Sequence, residues 1–129
     1  MLYPKTAINV EGRLNELPSG HIGLLPLTLA SGQVITLLVK QIIADPQNLP
    51  QDRSLRVWIS EQPGGRSLTE STTNAAAHLT ALNTTVIRLF ANGEEPETQG
   101  FNVAAMPGHY WLNVLNLVNE ANSFAIEIV

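Results

Sequence analysis

The sequence contains no cysteine. That excludes a disulfide staple, a Cys-ligated zinc site and a thiol nucleophile. It assigns no compartment, because a chain without thiols is indifferent to redox poise. Charge is also scarce, at 14% of residues, with 11 acidic and 7 basic groups and a formal net charge of -4. The cations Lys5, Arg13, Lys40, Arg53, Arg56, Arg66 and Arg88 form no run. Nucleic-acid binding needs clustered cations to displace counterions from phosphates, so a nucleic-acid partner is not expected. No apolar stretch approaches the roughly 20 residues of a membrane-spanning helix. The longest, VITLLV at 34–39, is the size of a strand. The opening MLYPKTAINVEGR lacks a basic stretch followed by a long apolar one, so no signal peptide is expected in the chain as given. The chain reads as soluble and its compartment stays open.

What is present is a period of two. A chain of 129 residues is expected to form one domain, 1–129, with a core that needs no staples. Near the end Tyr110, Leu112 and Val114 alternate with polar or outward residues, and after an Asn-rich break Phe124, Ile126 and Ile128 repeat the beat. RSLRVWIS at 53–60 places Leu55, Val57 and Ile59 inward, with Arg56, Trp58 and Ser60 outward. TTVIRLFANG at 84–93 turns Ile87 and Leu89 in and Val86, Arg88 and Phe90 out. Ile8 and Val10 share a face in a first strand over 6–14, and NELPSG after it reads as a turn. Phe101, Val103 and Ala105 precede a Pro-Gly turn. Such alternation arises because one face of a sheet meets a core and the other water.

Two runs depart from the pattern. In HIGLLPLTLASG, Ile22 and Leu24 take the opposite parity to Leu25, Leu27 and Leu29, so the phase shifts near Pro26 and predicts a strand edge or a bulge. Val34 to Ile43 is apolar on both parities, which predicts a strand covered on both sides, inside the fold or at an oligomer contact. Ser31-Gly32 reads as a hairpin break between these runs, and NEAN at 119–122 as the closing hairpin of the last two strands. About eight short strands separated by turns predict an all-β fold, an antiparallel β-sandwich or jelly roll.

Three segments resist this reading. ADPQNLPQD at 44–52 is a loop, and NGEEPE is a solvated acidic turn. Over 74–82 Asn74 is placed to cap a short helical turn through AAAHLTAL, while the surrounding Ser and Thr support irregular structure, and both alternatives stand.

The search for chemistry returns little. His21, His78 and His109 have no metal-ligand spacing, so no metal site is expected. No nucleophile elbow or phosphate-cradling glycine loop occurs, and Ser19, two residues before His21, is better explained by a turn. Glu11, Asp52, Glu61 and Glu127 fall at outward or turn positions. No catalytic residue and no cofactor are assigned. Tyr110, just after Pro-Gly at a strand start, is expected to pack inward and to bond its hydroxyl to nearby backbone, as in a tyrosine corner.

The candidate ligand or interface residues are aromatic and polar. Trp58 and Trp111 take the outward parity, with Arg56 beside the first and His109 and Asn113 beside the second. An indole flanked by amide and charged groups suits a sugar, the ring stacking on C–H faces while neighbours bond hydroxyls. The alternative is that each indole is covered by a loop, by the 67–83 segment or by a second subunit.

Gly32-Gln33, then Leu55-Val57-Ile59 with Pro63-Gly64, then Gly108 with Tyr110, and finally Phe124-Ile126-Ile128 occur in an order that resembles the pre-peptidase C-terminal family of bacterial β-sandwich domains. The likeness covers roughly 30–66 and 100–129. Arg53-Ser54 stand where that family often carries acidic residues. The resemblance implies a β-sandwich and a non-catalytic module that binds surfaces or stabilises a partner. The expected function, read from the doubly apolar strand 34–43 and the two outward tryptophans, is a non-catalytic module that works by contact with a protein partner or a second copy, with carbohydrate binding through Trp58 and Trp111 as the alternative.

Overall fold

A computed structural model describes residues 3–10, 13–42, 55–68, 77–79, 84–91, 101–118 and 120–129, with no side-chain account of 77–79. It has ten strands: β1 (Lys5–Ala7), β2 (Asn15–Leu17), β3 (Ile22–Leu29), β4 (Val34–Ile42), β5 (Leu55–Ser60), β6 (Ala77–Leu79), β7 (Thr84–Ala91), β8 (Phe101–Ala105), β9 (Gly108–Asn116) and β10 (Asn122–Ile128). Two five-stranded sheets result, β1-β3-β9-β5-β6 (sheet A) and β2-β10-β4-β7-β8 (sheet B). The all-β sandwich expected from the alternation is present. Its pairing is antiparallel except at two places, where β1 runs parallel to β3 and β8 parallel to β7.

The core lies between the sheets. From sheet A come Leu25, Leu27, Leu29, Leu55, Val57, Ile59, Tyr110, Leu112 and Val114; from sheet B come Ile35, Leu37, Val39, Ile87, Leu89, Phe124 and Ile126. Each is the inward member of an alternating pair, and burying such a side chain contributes roughly 1.5–3 kcal/mol. Val103 completes the layer from β8, while Ile8 and Val10 cap it from the segment after β1. Gly23 is needed there, because a Cβ on it would stand 2.8 Å from the Ile8 side chain. Phe90 is an exception to the parity of β7: it takes the outward side opposite Val34, yet it is buried.

The expected hairpins are not hairpins. β3 lies in sheet A and β4 in sheet B, so Ser31-Gly32 carries the chain across the sandwich, turned by Gly32 at φ 74° and closed by Gln33 N–H donating to the Ala30 carbonyl at 3.0 Å. β9 and β10 likewise face each other across the core instead of pairing. Both cases have one physical reason: strands that share a core alternate identically whether they lie edge to edge or face to face.

The Asn-rich break between β9 and β10 makes that second crossing. Asn116 is fully buried, and its Nδ2 donates to the Leu17 carbonyl at 3.0 Å and the Glu120 carbonyl at 2.8 Å. Its Oδ1 accepts from Val118 N–H at 3.0 Å and from Asn122 Nδ2 at 3.2 Å. Asn122 in turn accepts from Gln41 Nε2 at 3.3 Å. The amides replace water for backbone groups that a sheet crossing strips of ladder partners.

Other differences have local causes. Residues 15–17, expected in a turn, form the edge strand β2. Ala77–Leu79 is strand, not helix, and the remainder of 74–82 lies outside the described residues, as do 44–52 and the acidic NGEEPE. β3 has no bulge: it pairs with β9 without interruption from Ile22↔Leu115 to Leu29↔Gly108. Ile22 N–H donates to the Pro4 carbonyl and the Leu24 carbonyl accepts from Ile8 N–H, so the even residues of β3 bond toward β1. Pro26 therefore lacks its donor on a side that β1, ending at Ala7, no longer lines. Tyr110 behaves as expected, buried with its hydroxyl donating to the Met106 carbonyl at 2.6 Å.

Candidate functional site

The five candidate residues all belong to the outer side of sheet A. β9 runs between β3 and β5 and presents His109, Trp111, Asn113 and Leu115 there. Opposite them stand Thr28, Pro26, Leu24 and Ile22 of β3, and Trp111, Asn113 and Leu115 face Ser60, Trp58 and Arg56 of β5. Trp58 and Trp111 are thus diagonal neighbours on adjacent strands.

They do not form an open platform. Ile22, Leu24, Trp58 and Leu115 make a second apolar cluster, with Tyr3 and Trp111 packed against it. This cluster explains the phase shift of β3: Ile22 and Leu24 are apolar because their side of the sheet is also filled. Residues 61–66 turn back over it. Trp58 Nε1–H donates to the Gly65 carbonyl at 2.9 Å, and Gly64 N–H donates to Asn113 Oδ1 at 2.9 Å. Gly64 has φ 71°, and a Cβ on it would stand 3.7 Å from Ile22 Cδ1, so the loop lies in contact with the cluster. Leu68 N–H then donates to the Ile59 carbonyl at 2.9 Å and returns the chain to the sheet edge.

Asn113 organises this closure. It has no exposed surface. Its Nδ2 lies within bonding distance of Ser60 Oγ at 2.8 Å and of the Trp58 and Trp111 carbonyls at 3.2 Å each. Ser60, also buried, donates to the Gln62 carbonyl at 2.6 Å. A buried amide with both ends satisfied fixes a loop far better than exposed contacts do.

Of the five candidates, Trp58 (9% exposed) and Asn113 are interior, Trp111 is half-buried, and Arg56 and His109 reach solvent. Arg56 places its guanidinium carbon 5.9 Å from the centre of the Trp58 ring, a cation–π distance. His109 Nδ1 is 3.3 Å from Thr28 Oγ1. Residues 61–66 lie over Trp58, and most of the 67–83 segment lies outside the described residues. Glu61, Glu127 and the 18–21 turn sit where expected: both glutamates are exposed, and His21 N–H closes the turn on the Pro18 carbonyl at 3.1 Å. Glu11, Asp52 and the His78 side chain lie outside the described residues.

The outer side of sheet B is built differently. Along β4 the outward residues are Val34, Thr36, Leu38, Lys40 and Ile42; Val34 is 50% and Ile42 37% exposed, and Leu38 is half-buried. Val86 and Glu127 flank Leu38, and Ala125 flanks Lys40. The expectation of a strand covered on both sides inside the fold is therefore corrected: β4 buries only its inward row. The apolar content of both parities was the sequence signal for this surface, although the tryptophans were the more conspicuous residues. Among the described residues no group of three or more His, Asp or Glu could hold a metal ion, and no helix is long and apolar enough to cross a membrane.

These features define a two-sheet β-sandwich in which residues 61–66 close over the outer side of sheet A, while among the described residues β4 exposes Val34, Lys40 and Ile42 on the outer side of sheet B. The chain has a weak likeness to the pre-peptidase C-terminal domain of a collagenase from Bacillus anthracis, at 12% identity over 100% of this chain and 98% of that one, with a TM-score of 0.46. It is also similar to PliG, a periplasmic inhibitor of g-type lysozyme from Aeromonas hydrophila, at 11% identity over 98% and 97% of the two chains and a TM-score of 0.41. Likeness at this level leaves activity to the chain's own residues. No protein-family model and no curated protein sequence matches the chain.

Proposed function

We propose that this chain is a non-catalytic contact module whose binding surface, for a second copy or a protein partner, is the outer side of sheet B. One observation carries the reading: Val34 and Ile42 are exposed, and Leu38 half-exposed, on a regular strand whose inward row alone already supplies the core. Apolar rows left open on a sheet are a usual sign of an interaction surface. Sheet A supports the contrast, because its outer apolar cluster is met by residues 61–66 of the same chain.

The test is stability. Lysines introduced at Val34 and Leu38 should leave the thermal midpoint unchanged at high dilution, where any association is absent. A midpoint several degrees lower would mean that the row packs for folding, and the contact reading would fail.

Carbohydrate binding is the second reading, favoured by half-buried Trp111 beside exposed His109. It rests on a single ring, since the Trp58 indole nitrogen is engaged by Gly65. Loss of affinity for an insoluble polysaccharide in Trp111→Ala would support it, and no retention of the native protein would remove it.

A further inference from the structure

Resting on the carbohydrate reading, we infer that residues 63–66 form a displaceable lid, and that a neutral sugar binds beneath it against Trp111, Asn113 and Trp58.

The lid is held by the groups a sugar would use. Gly64 N–H donates to Asn113 Oδ1, and the Gly65 carbonyl accepts from Trp58 Nε1–H, each at 2.9 Å. One backbone turn thus presents a donor and an acceptor side by side. Neighbouring hydroxyls of a sugar ring do the same, because each both donates and accepts. A sugar in place of Gly64 and Gly65 leaves neither Asn113 Oδ1 nor Trp58 Nε1 unpaired, so the exchange strands no buried polar group.

The surface under the lid is built in advance. Asn113 Nδ2 meets Ser60 Oγ at 2.8 Å and the Trp58 and Trp111 carbonyls at 3.2 Å each, which fixes the amide with its oxygen turned toward the loop. The Arg56 guanidinium carbon, 5.9 Å from the Trp58 ring centre, steadies that indole from the rim. Trp111 is half-buried and shares the outer side of β9 with Asn113, two residues away. At about 7 Å along the strand, a ring stacked on its indole reaches the amide. Ser60, Trp58, Trp111 and Asn113 carry no charge, which selects a neutral sugar.

The lid is also built to lift as a unit. Its ends are fixed, because Ser60 Oγ donates to the Gln62 carbonyl at 2.6 Å and Leu68 N–H to the Ile59 carbonyl at 2.9 Å. Between them Gly64 sits at φ 71° and Gly65 N–H donates to the Gln62 carbonyl at 2.8 Å, a bond internal to the turn that survives its displacement.

The test opens the lid and reads sugar affinity. Gly64→Pro removes the N–H that meets Asn113 and cannot adopt φ 71°. Gly64→Val keeps the N–H and strains only the backbone, so it serves if Gly64→Pro does not fold. Cellohexaose, chitohexaose and mannohexaose are titrated into each variant and into the native protein. A closed lid lowers apparent affinity by the fraction of molecules that are open, so a variant should bind one of these sugars about tenfold or more tightly than the native chain. Binding by the variants alone supports the inference equally. The gain should vanish when Trp58→Phe is added, since Phe keeps the bulk and lacks the N–H. Acrylamide quenching of Trp58, read in the Trp111→Phe background, should rise with either substitution at Gly64.

Native binding with no gain in the variants would overturn the lid and keep the carbohydrate reading at Trp111. No binding by any form would remove both. Quenching that stays low would show a latch elsewhere and overturn the inference, as would a gain that survives Trp58→Phe. Tighter binding of a synthetic Gln-Pro-Gly-Gly-Arg peptide than of any of the sugars would overturn it in favour of a peptide turn.

Discussion

Gly64 donates its amide proton to Asn113 Oδ1 at 2.9 Å across 49 residues of chain, and that bond ties the 61–66 loop to the centre of sheet A's outer side. The opposite end of the same amide reaches Ser60 Oγ, Trp58 O and Trp111 O. Closure of this side of the sandwich turns on this side chain.

Replacing Asn113 with Ala should therefore release the loop without disturbing the inner core. Several buried groups lose a partner at once, at a cost of about 2–4 kcal/mol. Thermal unfolding should register the loss, and the Trp58 emission should shift to the red as water reaches the indole. A normal midpoint with unchanged emission would show that the loop is held by other means.

The two indoles should differ in solution. In Trp111→Phe the remaining Trp58 is enclosed by the loop and should resist acrylamide, whereas in Trp58→Phe the remaining Trp111 should be quenched more readily. Equal quenching constants would contradict the placement of the loop.

Tyr110→Phe should be mild. The hydroxyl bonds to Met106, an exposed residue whose carbonyl water can serve instead, so the expected loss is about 0.5–1.5 kcal/mol in chemical denaturation with an unchanged slope. A loss well above that would mean that the corner also positions the β8–β9 crossing.

Gly23→Ala should cost about 1–3 kcal/mol, because the new methyl meets Ile8 Cγ1 and Cδ1 at 2.8 Å. Ile8→Ala removes the obstacle, so the double variant should be more stable than the sum of the single losses implies. Strict additivity would place the strain elsewhere.

The inward rows were legible from alternation alone. Tyr110, Leu112 and Val114, then Phe124 and Ile126, then Leu55, Val57 and Ile59 all point to the core as read, and so does the tyrosine corner. Which sheet each strand joins was not legible. Gly32 and the Asn-rich 116–122 segment have the composition of hairpin turns, and a turn that crosses between sheets uses the same residues. The short strand β2, with its polar Asn15 and Glu16, has no periodic signal to read; Asn15 is buried because its side chain bonds the backbone of Asn9. For the site, the outward direction of Trp58, Trp111 and Asn113 could be read from parity. The cover over Trp58 could not, since Asn113 and Gly64 meet only once β5 and β9 pair.

The most direct measurement compares thiol reactivity on the two outer sides, using Val34→Cys and Leu24→Cys in separate dilute samples. The account predicts that the thiol at 34 reacts with a small maleimide close to the rate of an unfolded control. The thiol at 24, beneath the loop-covered cluster, should react at least a hundredfold more slowly. Similar rates at both positions, or faster reaction at 24, would contradict it.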